Sequence, residues 1–189
     1  KKWGNEKLPF YYVQIAPHEY ANRRNQTNGE FAANLREQQR LTLSEENLGM
    51  AVTMDIGDSL DIHPKIKKPV GKRLALWALA KDYGYKNLTH SGPLFKEVNF
   101  QKGKAIVSFD HIGSGLHGTN KKLKYFEIAG KDKIFQTANA QIKGDKVIVW
   151  SKKVPIPLYV RYGWKNFLTP NFFNKEGLPA SSFNSINHF

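Results

Sequence analysis

Cysteine is absent from all 189 residues. Disulfide frameworks, thiolate nucleophiles and Cys-based zinc sites are therefore excluded together. Long apolar runs are also missing: none approaches the length of a membrane span, and the first residues show no signal-peptide hydrophobic region. Acidic residues are scarce, 16 against 29 Lys and Arg, for a net charge of +13. Such an excess invites a nucleic-acid reading. The lysines are dispersed, however, with Lys65, Lys67 and Lys68 in one turn and Lys121, Lys122 and Lys124 in another. A solvated surface has that pattern, so neither nucleic acid nor membrane is expected as a partner. Acidic glycans would be attracted by the same field.

What is present is apolar and aromatic. With 40% hydrophobic and 13% aromatic residues, the chain can bury a sizeable core and is expected to be ordered. "LPFYYVQIAP" is a nearly continuous apolar run that reads as a strand buried on both faces. His18 to Gly29 reads as a polar loop. "EFAANLREQQRLTLSEE" places Phe31, Leu35, Gln38, Leu41 and Thr42 on one side of a helix. "LGMAVTMDIGD" is a second strand. "KIKKPVGKRLALWALAKDYG" carries Ile66, Val70, Leu74, Trp77 and Lys81 at helical spacing, with Pro69 in its first turn and Gly84 as its stop. Strand, helix, strand, helix is the βαβα order of parallel α/β sheets. Beyond about Tyr85 helical periodicity gives way to short alternating runs with Gly-bearing turns, the signature of an antiparallel β-sandwich. The expected division is an α/β part over 1–84 and a β-sandwich over 85–189. The abrupt start in an apolar strand suggests a piece of a longer chain or a processed product.

The chemistry gathers in "GDSLDIHP", Gly57 to Pro64. Its first four letters are the nucleophile motif of a large hydrolase family. In those hydrolases the serine follows the first strand, far upstream of the histidine, whereas Ser59 follows the strand that already leads to His63. Ser59 is read as a look-alike. "DIHP" is the more informative half. It lies between a strand and a helix, outside the carboxyl end of the strand, where α/β enzymes assemble their sites. An aspartate that holds the imidazole tautomer makes a histidine a general base. The competing reading is that Asp61 and His63 only cap the following helix.

"PFYYVQIAP", "LREQQ", "MAVTMDIGDSLDIHPKIKKPVGKRLALWALAKDYG", "SFDHIGSGL", "YFEIAGKDKIF", "VRYGW" and "NFFNKEGLPASSF" stand here in one order. In that order they resemble the C-terminal part of the sialate O-acetylesterases. The resemblance implies an SGNH-type α/β hydrolase, the last part of a flavodoxin-like three-layer parallel sheet, followed by an antiparallel β-sandwich domain. It implies removal of acetyl esters from sialic acids by a Ser-His-Asp mechanism with no metal or cofactor, in a periplasmic or secreted enzyme. The "DIHP" block maps the catalytic base onto His63 and its acidic partner onto Asp61. Related SGNH enzymes place that aspartate three residues before the histidine, a position held here by Leu60, so Asp58 remains the alternative. The family's Gly-Gln-Ser-Asn type nucleophile block occurs nowhere in these residues. The chain is thus expected to carry the base and acid of an esterase and to need a missing N-terminal catalytic segment as partner, being inactive alone. The rival is a glycan-binding β-module on an α/β scaffold remnant.

Other residues carry weaker signals. His18, just past the first strand, is a candidate for substrate contact, against a solvated loop role. His90, His111, His117 and His188 lack metal-ligand spacing and read as surface residues. Tyr159, Tyr162, Trp164 and Phe167 read as core before sugar platform. Arg23 and Arg24 are candidates for pairing with a sialic acid carboxylate. Sequons stand at Asn25 and Asn87.

Overall fold

The computed structural model describes residues 4, 7–20 and 30–188. Arg23, Arg24 and Asn25 lie outside the described residues, as does the side chain of His188.

Two parallel strands open the fold: β1 (Phe10–Val13) pairs with β2 (Leu48–Ala51), in register from Phe10↔Leu48 to Val13↔Ala51. Because side chains alternate along a strand, the two faces of this pair take different helices. Helix α2 (Lys68–Lys81) lies over Tyr11 and Gly49, with its Trp77 ring 6.5 Å from Tyr11 and Trp77 Nε1 donating to Met50 O at 2.9 Å. A Cβ at Gly49 would stand 2.7 Å from the Trp77 ring, so only glycine admits the indole there. Helix α1 (Phe31–Leu41) takes the other face, where the Tyr12 hydroxyl donates to Gln39 O at 2.5 Å. Between the helix and β2 runs a short 3₁₀ turn, Thr42–Ser44. The expected α/β order is present, but as a two-stranded pair between two helices. A three-layer parallel sheet is not seen among the described residues.

The remainder is antiparallel. One four-stranded sheet runs β3 (Leu94–Gln101), β4 (Lys104–Asp110), β9 (Lys146–Trp150), β8 (Asn139–Lys143). A second runs β12 (Phe183–Asn184), β10 (Tyr159–Tyr162), β6 (Phe126–Ala129), β7 (Gln136–Thr137). A small ladder joins β5 (Leu116–Gly118) to β11 (Phe172–Asn174). Alternation aims Val107, Val147 and Val149 from the first sheet and Phe126, Ile128, Val160 and Tyr162 from the second into one core, which Phe172 and Phe183 close. The molecule is mostly antiparallel and sandwich-like. Tyr162 and Trp164 are buried in it, which leaves them no role as an open sugar platform.

Helix α1 inverts the sequence expectation. Phe31 is 49% and Leu35 39% exposed, while Ala32, Ala33, Arg36, Glu37 and Arg40 are buried. The two alanines permit close approach, and the charged residues find partners inside. Arg40 pairs with Glu37 at 2.8 Å. Arg36 donates to the carbonyls of Gly163, Lys165 and Asn166 and to Ser182 Oγ. Burial pulls the Arg36 guanidinium down to about 10, still charged at neutral pH. The helix is thereby bolted to the 163–166 loop of the β-region.

Candidate active site

Beyond β2 the chain passes through Val52 and a turn closed by Ile56 N donating to Thr53 O at 3.2 Å, and at Gly57 enters the loop of interest. The departure is anchored from α2: Arg73 forms a two-pronged ion pair with Asp55, both contacts 2.7 Å, and also donates to Val52 O at 2.7 Å. Gly57 is obligatory, because a Cβ there would sit 2.0 Å from Pro17 O. The segments leaving β1 and β2 are in this way pressed together at the carboxyl end of the pair.

Within the loop, Asp58 acts on the backbone. Its Oδ1 accepts the N–H of Leu60 at 2.8 Å and of Asp61 at 3.2 Å. These two donors hold its carboxyl below the usual carboxylate range. Asp61 Oδ1 in turn accepts the backbone N–H of His63 at 2.8 Å. The two aspartates build successive Asx turns; neither caps α2, whose start at Lys67 and Lys68 has no side-chain cap. His63 is exposed, and its ring has no hydrogen-bond partner among the described residues. Asp61 and His63 are neighbours through the His63 amide rather than through the imidazole.

His18 is brought to the same loop. Its Nδ1 lies 2.9 Å from Asp58 O. A carbonyl only accepts, so Nδ1 is the donor in this contact. Tyr20 packs edge-on against the His18 ring at 4.8 Å, and Glu19 N donates to Ser59 O at 3.4 Å. His18 is therefore neither a free loop residue nor isolated from the site; it fastens the loop from the β1 side. Nothing in the local sequence forecasts this bond, since the partner is a backbone carbonyl forty residues away.

The loop separates two hollows. One, of about 390 Å³, is lined by Val13, Ile15, Ile62, Pro64, Ile66 and Val70, with Gln14 and His18 contributing polar atoms. The other, of about 330 Å³, lies between His18, Tyr20 and the Ser59–Ile62 segment. Ser59 is half-buried with its carbonyl accepting from Glu19. Its Oγ makes no hydrogen bond to a base among the described residues. Likewise no group of three or more His, Asp or Glu side chains among them is placed to hold a metal ion.

The other histidines divide. His117 is exposed as expected. His90 and His111 are not surface residues: they stack edge-to-face with each other at 4.9 Å and with Trp77 at 4.4 and 5.8 Å. Ser114 donates to Glu176 Oε1 at 2.5 Å, far in sequence from the loop.

A carbohydrate acetylesterase from Xanthomonas citri, known from its crystal structure, is 43% identical and superposes with a TM-score of 0.88. The match covers 96% of this chain and 42% of that one. Human and Pongo abelii sialate O-acetylesterases are each 37% identical over 87 residues. Over that stretch this chain is similar to the sialate O-acetylesterases. The matched stretch is 44% of the present chain but only 16% of the human or Pongo sialate O-acetylesterase, so a small part of those enzymes is represented. No protein-family model matches.

Proposed function

We propose that this chain is the general-base portion of a carbohydrate esterase that removes O-acetyl groups from sialic acids or related acetylated glycans. Residues 1–84 are its share of an SGNH-type esterase domain and residues 85–189 an accessory β-sandwich. His63 is the base and Asp61 its acidic partner. The serine and the oxyanion donors come from a segment outside these residues, so the chain by itself does not turn over ester. Export to the periplasm or beyond the cell goes with the same reading.

The observation that carries the proposal is His63 itself: an exposed imidazole on a heavily braced loop at the carboxyl end of a parallel strand, in a chain homologous to acetylesterases. A histidine that only ends a turn has no need of bracing from Asp58, Asp61 and His18 together. Exposed apolar residues along β1 support the missing segment, since Leu8 is 52%, Phe10 62% and Val13 39% exposed. Strand β1 pairs only with β2 among the described residues, and parallel strands are ordinarily covered.

In the completed enzyme His63 takes the serine proton as Oγ attacks the acetyl carbonyl. It returns that proton to the departing sugar oxygen, leaving an acetyl-serine. The same imidazole then deprotonates a water that releases acetate and restores the serine. Replacing His63 with Ala in the complete protein is expected to lower acetate release from an O-acetylated sialic acid by about 10³–10⁴-fold. Turnover within tenfold of the parent would refute the assignment.

A further inference from the structure

Beyond the ends of β1 and β2 the two chain segments continue side by side. Pro17 lies against Gly57, where a Cβ would stand 2.0 Å from Pro17 O. Glu19 N donates to Ser59 O at 3.4 Å. Between them His18 Nδ1 donates to Asp58 O at 2.9 Å. Of the two hydrogen bonds, only the one from His18 uses a side chain, so it alone can be removed by substitution with the main chain left as it is.

That bond ends where it bears on His63. Asp58, held through its carbonyl, uses its Oδ1 to accept the N–H groups of Leu60 and Asp61 at 2.8 and 3.2 Å. Asp61 Oδ1 then accepts His63 N at 2.8 Å. The His63 ring itself makes no hydrogen bond among the described residues, so this succession of main-chain contacts sets where it stands. Behind His18, its own N–H donates to Asn166 O at 3.2 Å, in the loop that Arg36 also holds, and Tyr20 packs edge-on against its ring at 4.8 Å. The join between the two halves of the molecule does not depend on His18. Gln14 Nε2 donates to Ser181 Oγ at 2.7 Å, Asn184 N donates to Glu37 Oε1 at 3.3 Å, and Leu168 shares a core cluster with Met50, Val52 and Met54.

From this we infer that His18 is a positioning residue, which transmits the hold of the 163–166 loop to Asp58 and so fixes the placement of His63. The inference rests on the esterase reading for what His63 does, and it makes the β-region part of the catalytic frame rather than a detachable module. His18 touches no reacting atom in this scheme. Misplacing a catalytic group by about an ångström costs on the order of 10²-fold in rate without loosening the substrate.

The test separates the two ring nitrogens, because an asparagine amide nitrogen overlays Nδ1 and a glutamine amide nitrogen overlays Nε2. In the complete enzyme His18→Ala is expected to lower kcat for acetate release about 10- to 100-fold, with KM within about twofold of the parent. His18→Asn should restore kcat to within about threefold, and His18→Gln should not. Hydrogen exchange in the same proteins needs no turnover. Exchange at the Leu60, Asp61 and His63 amides should rise at least about tenfold in His18→Ala, return to the parental rate in His18→Asn, and stay unchanged in β4 and β9. His117→Ala, on the exposed face of β5, is the control and should move neither readout. A parental kcat in His18→Ala, a loss carried by KM, rescue by glutamine as complete as by asparagine, or faster exchange spread through β4 and β9 would each overturn the proposal. Should His63→Ala keep its turnover, the esterase reading falls by itself, and exchange over residues 58–63 still decides whether His18 holds the loop.

Discussion

Asp58 and Asp61 are distinguished by what their carboxylates already hold. Asp58 Oδ1 is spent on two backbone N–H groups, a task that an asparagine oxygen performs equally well. Asp61 accepts a single amide, that of His63, and its charge is the nearer one in sequence to the imidazole. In the complete enzyme Asp58→Asn is expected to retain activity within about threefold. Asp61→Asn should lose at least roughly a hundredfold, the order seen when a base loses its orienting carboxylate. Measuring acetate release from both variants decides between the two acids, and the reverse ranking would reassign the role to Asp58. The candidate histidine was legible from the letters alone, because a His between a strand and a helix with an aspartate two before it is a pattern of adjacent residues. The bracing from His18 and Pro17 was not, because it crosses from one strand end to another and uses main-chain atoms that every residue shares.

At the scale of elements, α1 is the instructive one. Its polar positions are buried and its large apolar ones are half in water. Apolar periodicity ranks faces by side-chain hydrophobicity, and here hydrogen bonding outweighs it. Arg36 satisfies three carbonyls of the 163–166 loop, which no apolar residue can replace, and Asn166 Oδ1 caps the helix start by accepting Ala32 N at 2.9 Å. Arg36→Met keeps much of the volume but strands those acceptors. The expected cost is about 3 kcal/mol of unfolding free energy, read from urea denaturation. Because Asn166 O also accepts His18 N at 3.2 Å, the same variant should loosen the His63 loop, seen as faster amide exchange at residues 58–63. In helix α2 Pro69 stands in the first turn as its sequence forecast, since proline placement is a local matter of one absent N–H, but Ile66 lies before the helix and the buried residues are Arg73 and Trp77.

Across the whole molecule, the place where α2 meets β4 sets a pH limit. Burial first, and then neighbouring His90, hold the His111 imidazole down at about 4, while Asp110 acts against them and Lys81 with them. His90 is lowered as well, chiefly by burial. In the unfolded chain both titrate near 6.5. Between about pH 6.5 and 4 the unfolded state therefore binds more protons than the folded one, and stability falls as pH drops through that window. Discounted for solvent access, the effect is on the order of 1–2 kcal/mol, or roughly 3–6 °C of thermal midpoint for a chain of this size. A His111→Gln variant should show a flatter melting profile over the same range by calorimetry; an equal fall would place the acid sensitivity elsewhere. Those two histidines read as surface in the sequence because neither lies in an apolar run. Only the packing of Trp77 under β1 and β2 carries the indole to them.

What these residues determine by themselves is local: strand and helix order, the proline and glycine stops, the alternating β-runs of the second half, and the Asp-x-His loop. Each follows from interactions among near neighbours in sequence, which a linear reading contains. The tertiary structure alone decided that the parallel element is a two-stranded pair, that α1 buries its charges, that His18 fastens the loop, and that His90 and His111 gather against Trp77. Those outcomes depend on backbone groups and long-range contacts whose partners are set by the path of the whole chain.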